Sequence, residues 1–459
     1  MRIYLKNCNN YLILLSAFFI TLSTYVSTIV TILFFLCFTI NIILLIKDRN
    51  LKQQLKIVFS NPVVYSTIIF LLYFFARLLL TEQDPLLAFN ELGKKQIILL
   101  LIPVLFTLQF DEKYIKAIKY SFLTGLLLNI IISTASTIIN SNKLIYKSTH
   151  YDTEKFFQVF IDHFEFSMFL CFGILLIISS EISKKKHLLY ISSIIVFITV
   201  LVNSWGRVGI VAFFIFSPII ILFFNRSKIN LVMLFFGILY ITFSYFAFSP
   251  FKDRINSTLI NLEKIYTPPS LNEKIKANAE FLVKRDHGEI ITNHQIDSLK
   301  NMYIENIKSD SIWLTEINNK HPQYETSVGK RYQWLQRSLE LIQQKPFLGF
   351  GSNQFKKTYI KQFSKNEIEP HNHPHNNFMF ILVELGGIGL IFLLFIFCSQ
   401  IRCYFINKKE NILQFIFPLF FLFTMLFDNY FLNQNTLIFF CLFTFMIYRK
   451  SLVNSFDPS

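Results

Sequence analysis

The feature that most constrains this chain is a succession of apolar blocks, each about 17–25 residues long, separated by short polar or basic segments. A block of that length crosses a hydrocarbon core as a helix. Lipid offers no partner to a backbone N–H or C=O, so each block must satisfy its own backbone, which a helix does. Composition agrees: of 459 residues, 53% are hydrophobic, only 16% are charged, and 55 are Phe. A water-soluble domain carries nearer a quarter charged residues. The predicted fold class is all-α, a polytopic membrane helix bundle of about 12 transmembrane helices. The spans are placed at 10–25, 27–46, 61–80, 96–110, 115–139, 164–181, 187–203, 207–224, 229–248, 376–400, 412–428 and 433–448. Arg2 and Lys6 precede the first apolar run, which continues to Ile46 without an A-x-A cleavage site. It is read as two retained spans and not as a signal peptide.

Orientation follows from the connecting segments. Taking alternate loops from the N-terminus, one set holds Arg2 and Lys6, then Lys47, Arg49, Lys52 and Lys56, then Lys113, Lys116 and Lys119. The set continues with Lys184 to Lys186, Arg226 and Lys228, then Arg402, Lys408 and Lys409, then Arg449 and Lys450. Every loop of the set is basic, which places it, and both termini, in the cytoplasm. This patterning accounts for the net charge of +15 without nucleic acid. The opposite loops are less regular: Lys94 and Lys95, and Lys143, Lys147 and Lys155, are basic where the topology rule does not require it. They are candidates for anion binding, the latter group also reading as a solvated face.

One connection differs from the rest. Residues 250–375 form a polar, mixed-charge segment on the non-cytoplasmic side. It divides the chain into a transmembrane region 1–249, an outer loop or cap 250–375, and a second transmembrane region 376–459. Helical stretches are expected at 273–284 and 328–344; in the latter Trp334, Leu335, Leu339 and Ile342 recur at helical spacing.

Several residues here have chemical potential. Arg207 follows Asn203-Ser204-Trp205-Gly206 and opens a span. A cation at a helix N-terminus opposes the helix dipole. An anion there would engage both the guanidinium and the unpaired N–H groups, whereas an interfacial Arg snorkelling to water is the plain alternative. Arg331 lies in Gly329-Lys330-Arg331-Tyr332-Gln333-Trp334, ahead of a glycine-bearing turn, Pro346-Phe347-Leu348-Gly349-Phe350-Gly351. Then comes Pro370-His371-Asn372-His373-Pro374-His375-Asn376-Asn377. The alternating histidines, interrupted by Pro374, do not set three ligands on one face and have no Cys or carboxylate at metal-site spacing. No metal and no cofactor are expected. A single working imidazole at the membrane surface is the better reading, since His is a natural general base near neutral pH. Gly386-Gly387-Ile388-Gly389 within the next span would let a neighbouring helix approach. Glu384 and Asp428 are costly in a membrane and read equally as functional or as hydrogen-bonded packing. Asp162, His163 and Glu165 sit at the mouth of another span. The six cysteines include no CxxC pair and none falls in the long loop.

His375-Asn376, nine residues, Gly386, two residues and Gly389 resemble the signature of bacterial O-antigen ligases. The stretch Arg331, Trp334, Pro346, Gly349, Gly351 resembles the segment that precedes it in that family, and Asn203 to Arg207 resembles its short arginine motif. His371 and His373 lie outside the pattern. The resemblance implies metal-independent, inverting transfer of a glycan from undecaprenyl diphosphate to a lipid A–core acceptor at the periplasmic face of the bacterial inner membrane. It implies Arg207 and Arg331 on the diphosphate, and His375 as the base that deprotonates the acceptor hydroxyl. Asn376, His163 and Lys95 complete the expected substrate-binding set. Within the same superfamily, an O-antigen polymerase or a protein O-oligosaccharyltransferase would use the same chemistry. A transporter would need discontinuous helices and mid-membrane ionisable residues, often in repeated halves; such residues are few and no repeat is evident.

Overall fold

The computed structural model describes residues 1–81, 84–90, 94–138, 160–180, 187–204, 206–224, 228–247, 249–267, 270–287, 293–310, 327–363, 373–406 and 411–449. The lysines at 143–155 and 184–186, Trp205, Arg226, His371, Lys408, Lys409 and Lys450 lie outside them. Among the described residues every regular element is helical. Contacts divide the chain into two compact units, one of residues 1–244 with 338–459 and one of residues 245–337.

The larger unit opens with α1 (Arg2–Phe19), α2 (Thr24–Lys47), α3 (Leu51–Ser60) and α4 (Pro62–Thr81). Local sequence sets their starts: Ser23 Oγ accepts from Val26 N at 3.3 Å. Asn61 Oδ1 accepts from Val63 N at 2.9 Å, with Pro62 at the first helical position, where its missing N–H costs nothing. Short α5 (Pro85–Ala88) and α6 (Lys94–Gln96) follow. The span expected at 96–110 is not one helix: a 3-10 turn over Ile97–Leu100 leads into α7 (Leu101–Thr107), which contains Pro103. Then come α8 (Glu112–Ile138), α9 (His163–Ile178), α10 (His187–Asn203), α11 (Arg207–Phe223) and α12 (Lys228–Ala247).

Among the described residues, five helices are long and apolar enough to cross a membrane, Thr24–Lys47, Pro62–Thr81, Glu112–Ser136, Asn230–Ala247 and Asn377–Ile406. Six shorter apolar helices fall at further expected spans. The chain is thus a multi-pass membrane protein, helical throughout its described elements. Helix pairs α1 with α8, and α9 with α11, pack along their lengths. Glycines permit this closeness: a Cβ on Gly125 would run into Thr21 and the Phe18 carbonyl, and one on Gly209 into the Ser167 carbonyl. The abundant phenylalanines form the interior. Phe122, Phe169, Phe172, Phe439 and Phe443 are fully buried, with Phe172 and Phe443 centroids 4.9 Å apart and edge-to-face.

Ion pairs tie several basic loops to one end of this unit: Arg2 pairs with Asp48 and Lys6 with Asp111. Asn10 Nδ2 donates to Asp111 at 2.8 Å, and Lys119 donates to Ser180 Oγ at 3.3 Å. Segments read as one side of the membrane therefore meet at one end.

The smaller unit contains α13 (Ser249–Tyr266), α14 (Leu271–His287), α15 (Asn293–Ser309) and the start of α16 (Ser327–Gln344). The helices expected at 273–284 and 328–344 are both present, within α14 and α16. Ser270 N donates to the Glu273 carboxylate at 2.8 Å while Glu273 N donates to Ser270 Oγ at 3.4 Å, a reciprocal cap. The unit has its own small core of Ile275, Ala279, Leu282 and Ile307, packed by Tyr303 and Ile304.

The larger unit resumes with the rest of α16, then α17 (Phe355–Phe363), α18 (Asn377–Ile406), α19 (Leu413–Thr424) and α20 (Gln434–Tyr448).

Candidate active site

Asn376 starts α18. Its Oδ1 accepts from Phe378 N at 2.9 Å and Met379 N at 3.1 Å, an N-cap in the strict sense. Its Nδ2 donates to the Leu426 carbonyl at 3.0 Å. Asn377 continues the link: its N–H donates to the Met425 carbonyl at 3.0 Å, and its Oδ1 accepts from Phe431 N at 3.1 Å. The loop between α19 and α20 is thereby held against the start of α18.

This attachment places Asp428 against His375. Their Oδ1 and Nδ1 are 2.9 Å apart, with His375 partly exposed and Asp428 mostly buried. Asn429 N also donates to Asp428 Oδ1, at 2.8 Å. An ionised Asp428 can only accept, so it pairs with the tautomer that bears Nδ1–H and leaves Nε2 as the basic nitrogen. His375 has φ +50, a left-handed conformation that costs energy and recurs at functional sites. The motif leaves His373 out, yet the structure sets its ring edge-on to His375, centroids 4.5 Å apart.

The same mouth extends to α9 and α11. Tyr430, buried in the 426–433 loop, donates its hydroxyl to the Phe164 carbonyl at 3.2 Å. The Phe164 ring packs on Tyr430 on one side and on His163 on the other. A Cβ on Gly206 would overlap the Ser167 side chain and the His163 carbonyl. Glycine at 206 is thus what lets α11 begin, with Arg207 as its first residue, directly against the beginning of α9. Glu165, within the first turn of α9, is buried, and its carboxylate accepts from Asn435 Nδ2 at 3.2 Å. Through these contacts the starts of α9, α11, α18 and α20 gather at one end of the bundle. His163, Arg207, Asn376, His375 and Asp428 belong to that end. Lys95 is exposed near the start of α6, and no hydrogen bond joins it to this group among the described residues. Arg331 is exposed, one turn into α16, and belongs to the smaller unit.

From sequence, the turn at 346–351 and the glycines at 386–389 read as separate features, the latter admitting a neighbouring helix. They form one structure. At Gly386 (φ +67) α18 breaks, and the turn inserts its backbone there. Phe350 N donates to the Val383 carbonyl and Gly351 N to the Glu384 carbonyl, each at 2.8 Å. In return, Gly387 N donates to the Pro346 carbonyl at 2.8 Å and Ile388 N to the Phe347 carbonyl at 3.2 Å. Non-helical backbone at membrane depth is tolerated where protein satisfies it, and the inserted turn does so. Close approach explains the glycines: a Cβ on Gly349 would strike the Glu384 carbonyl, and one on Gly386 the Phe347 carbonyl. The Glu384 side chain also holds the start of α17, accepting from Asn353 N at 3.0 Å and Phe355 N at 3.1 Å. Its presence in a span is explained as hydrogen-bonded packing.

Sequence reading missed Arg77, a cation near the end of α4. It donates to the Gly349 carbonyl at 3.4 Å, while Tyr73 donates to the Leu385 carbonyl at 3.1 Å. Arginine inside an otherwise apolar span was the signal available. Among the described residues no group of three His, Cys, Asp or Glu is placed to hold a metal ion.

Residues 191–394 match the family model described as Wzy_C, O-antigen ligase. The matched segment contains Arg207, Arg331, the 346–351 turn, His375 and the 386–389 glycines; Asp428, His163 and Lys95 lie outside it. A comparison with curated proteins returns no match. The match is consistent with a glycosyltransferase-like membrane enzyme. Residues 191–394 are thus similar to the O-antigen ligase domain, and that likeness is what the rest of the chain is read against.

Proposed function

We propose that this enzyme transfers an O-antigen-type glycan from undecaprenyl diphosphate to lipid A–core at the periplasmic face of the inner membrane. The observation that carries the reading is the His375–Asp428 pair, at the end of the bundle where Arg207 opens its helix. Asp428 fixes the imidazole with Nε2 as the basic nitrogen. Nε2 takes the proton of an acceptor hydroxyl as its oxygen attacks the anomeric carbon. The bond from that carbon to the diphosphate breaks, and the configuration inverts. Negative charge grows on the departing diphosphate, and Arg207 offsets it together with the N–H groups of the α11 start. Arg331 is assigned the same role by family resemblance alone, and Asn376, His163 and Lys95 are proposed to hold substrate. The reaction needs no metal and no nucleotide, because the diphosphate is already a good leaving group. The five long helices, the six shorter apolar ones and Arg2–Phe19 are read as the twelve crossings, with both termini cytoplasmic.

A polymerase that extends the glycan on its own carrier would use the same residues. Acceptor identity separates the two. A deletion strain that accumulates long glycan on the carrier, with bare lipid A–core, supports the ligase. One that attaches only single repeat units makes the chain a polymerase.

A further inference from the structure

The proposed diphosphate site at His375 and Arg207 leaves the apolar tail of a lipid-linked donor still to be placed. Between α10 and α12 the larger unit has a groove of about 490 Å³. Its floor is buried, formed by Ile194, Ile198 and Met233, while Ile195 and Phe236 stand exposed as rims. Gly237 keeps it open: a Cβ there would lie 3.1 Å from Ile198 Cδ1 and 3.3 Å from Phe213 Cζ of α11. Any larger side chain would occupy the groove itself.

Three features select the occupant. The lining from Ile191 to Thr199 covers about two helical turns, roughly 12 Å at 1.5 Å per residue, a slot along one pair of helices that suits one chain. The lining is apolar apart from the Thr199 and Tyr240 hydroxyls, so it recognises a tail and not a headgroup. Finally, Thr199 lies one turn before the end of α10, and Arg207 begins α11 four residues after that end. A tail leaving the groove at Thr199 heads toward the end of the bundle at which Arg207 starts α11. We propose that this groove binds the single polyprenyl tail of the donor, with its diphosphate at Arg207. The inference rests on the proposed glycan transfer.

Purified protein in nanodiscs would be photolabelled with undecaprenyl phosphate carrying a diazirine near its phosphate end, and the adducts mapped by mass spectrometry. Label is expected on Ile195, Phe236 or Tyr240, displaced by untagged undecaprenyl phosphate and not by phosphatidylethanolamine. Gly237→Phe should abolish those adducts, raise the KM for lipid-linked donor about tenfold, and leave kcat within about twofold. Because this variant fills a packed space, Ile195→Trp on the exposed rim is a second test with the same expected outcome. Competable label on other helices, or displacement by phosphatidylethanolamine, overturns the groove while leaving glycan transfer intact. The absence of competable label anywhere overturns the donor assignment and the groove with it.

Discussion

His375 Nδ1 lies 2.9 Å from Asp428 Oδ1 across two loops, one preceding α18 and one joining α19 to α20. Asp428→Asn puts an amide where the carboxylate accepts. An amide can donate to Nδ1 and so favour the wrong tautomer. The expected result is a loss in kcat of about 10²-fold or more with little change in KM. Steady-state transfer assays check it, and a wild-type kcat would remove Asp428 from the mechanism.

Gly386 and Gly387 are adjacent but not equivalent. Alanine at 386 must adopt φ +67 and place a Cβ on the Phe347 carbonyl; at 387 its Cβ meets only the Pro346 carbonyl, at 3.4 Å. Gly386→Ala should destabilise the protein by about 1–3 kcal/mol or more, while Gly387→Ala stays near wild type. Thermal unfolding in detergent distinguishes them. Equal melting temperatures for both variants would mean that the 346–351 turn does not dock at Gly386.

Asn376 caps α18 with Oδ1 and ties the 426–433 loop with Nδ2. Asn376→Ala should therefore cost about 1 kcal/mol of stability and also lower transfer, because Asp428 loses its anchor. Asn376→Asp keeps the cap and loses the donor, so its melting temperature should recover while its transfer rate does not. Recovery of both would reduce Asn376 to a cap.

The helices were legible because a membrane makes apolar length and helix nearly synonymous. His375, Arg207 and the family motif were legible because their residue types are unusual where they stand. The meeting of the 346–351 turn with Gly386 was not: it is made of backbone hydrogen bonds, which any residue can supply, and the glycines only permit it. Asp428 stands out as a carboxylate near a span, yet its partner lies 53 residues away, joined through Asn376 and Asn377 contacts that no local pattern encodes. The 3-10 turn at Ile97–Leu100 is hidden because its composition is as apolar as the helices around it. His373 falls outside the motif, whereas its contact with His375 depends on the bend at His375.

At the opposite end of the bundle, the Lys6 ammonium beside Asp111, with Asn10 donating, holds the Asp111 carboxyl below the usual carboxylate range. A carboxyl depressed in the folded state contributes stability at and above its ordinary pKa of about 4 and loses it as pH falls through the lower folded value. Asp111→Asn should thus lower the melting temperature at pH 7. The gap from wild type should persist down to about pH 4 and close only below it. A gap that is already absent at pH 7 would show that the pair contributes nothing.

The most direct measurement is transfer by the purified protein in liposomes, supplied with undecaprenyl-diphosphate-linked glycan and lipid A–core and no divalent cation. Wild type should attach glycan to lipid A–core with inversion at the transferred sugar. His375→Ala should retain donor binding and lose about 10²–10⁴-fold in rate. Undiminished transfer by His375→Ala, or no transfer by wild type, would contradict the assignment.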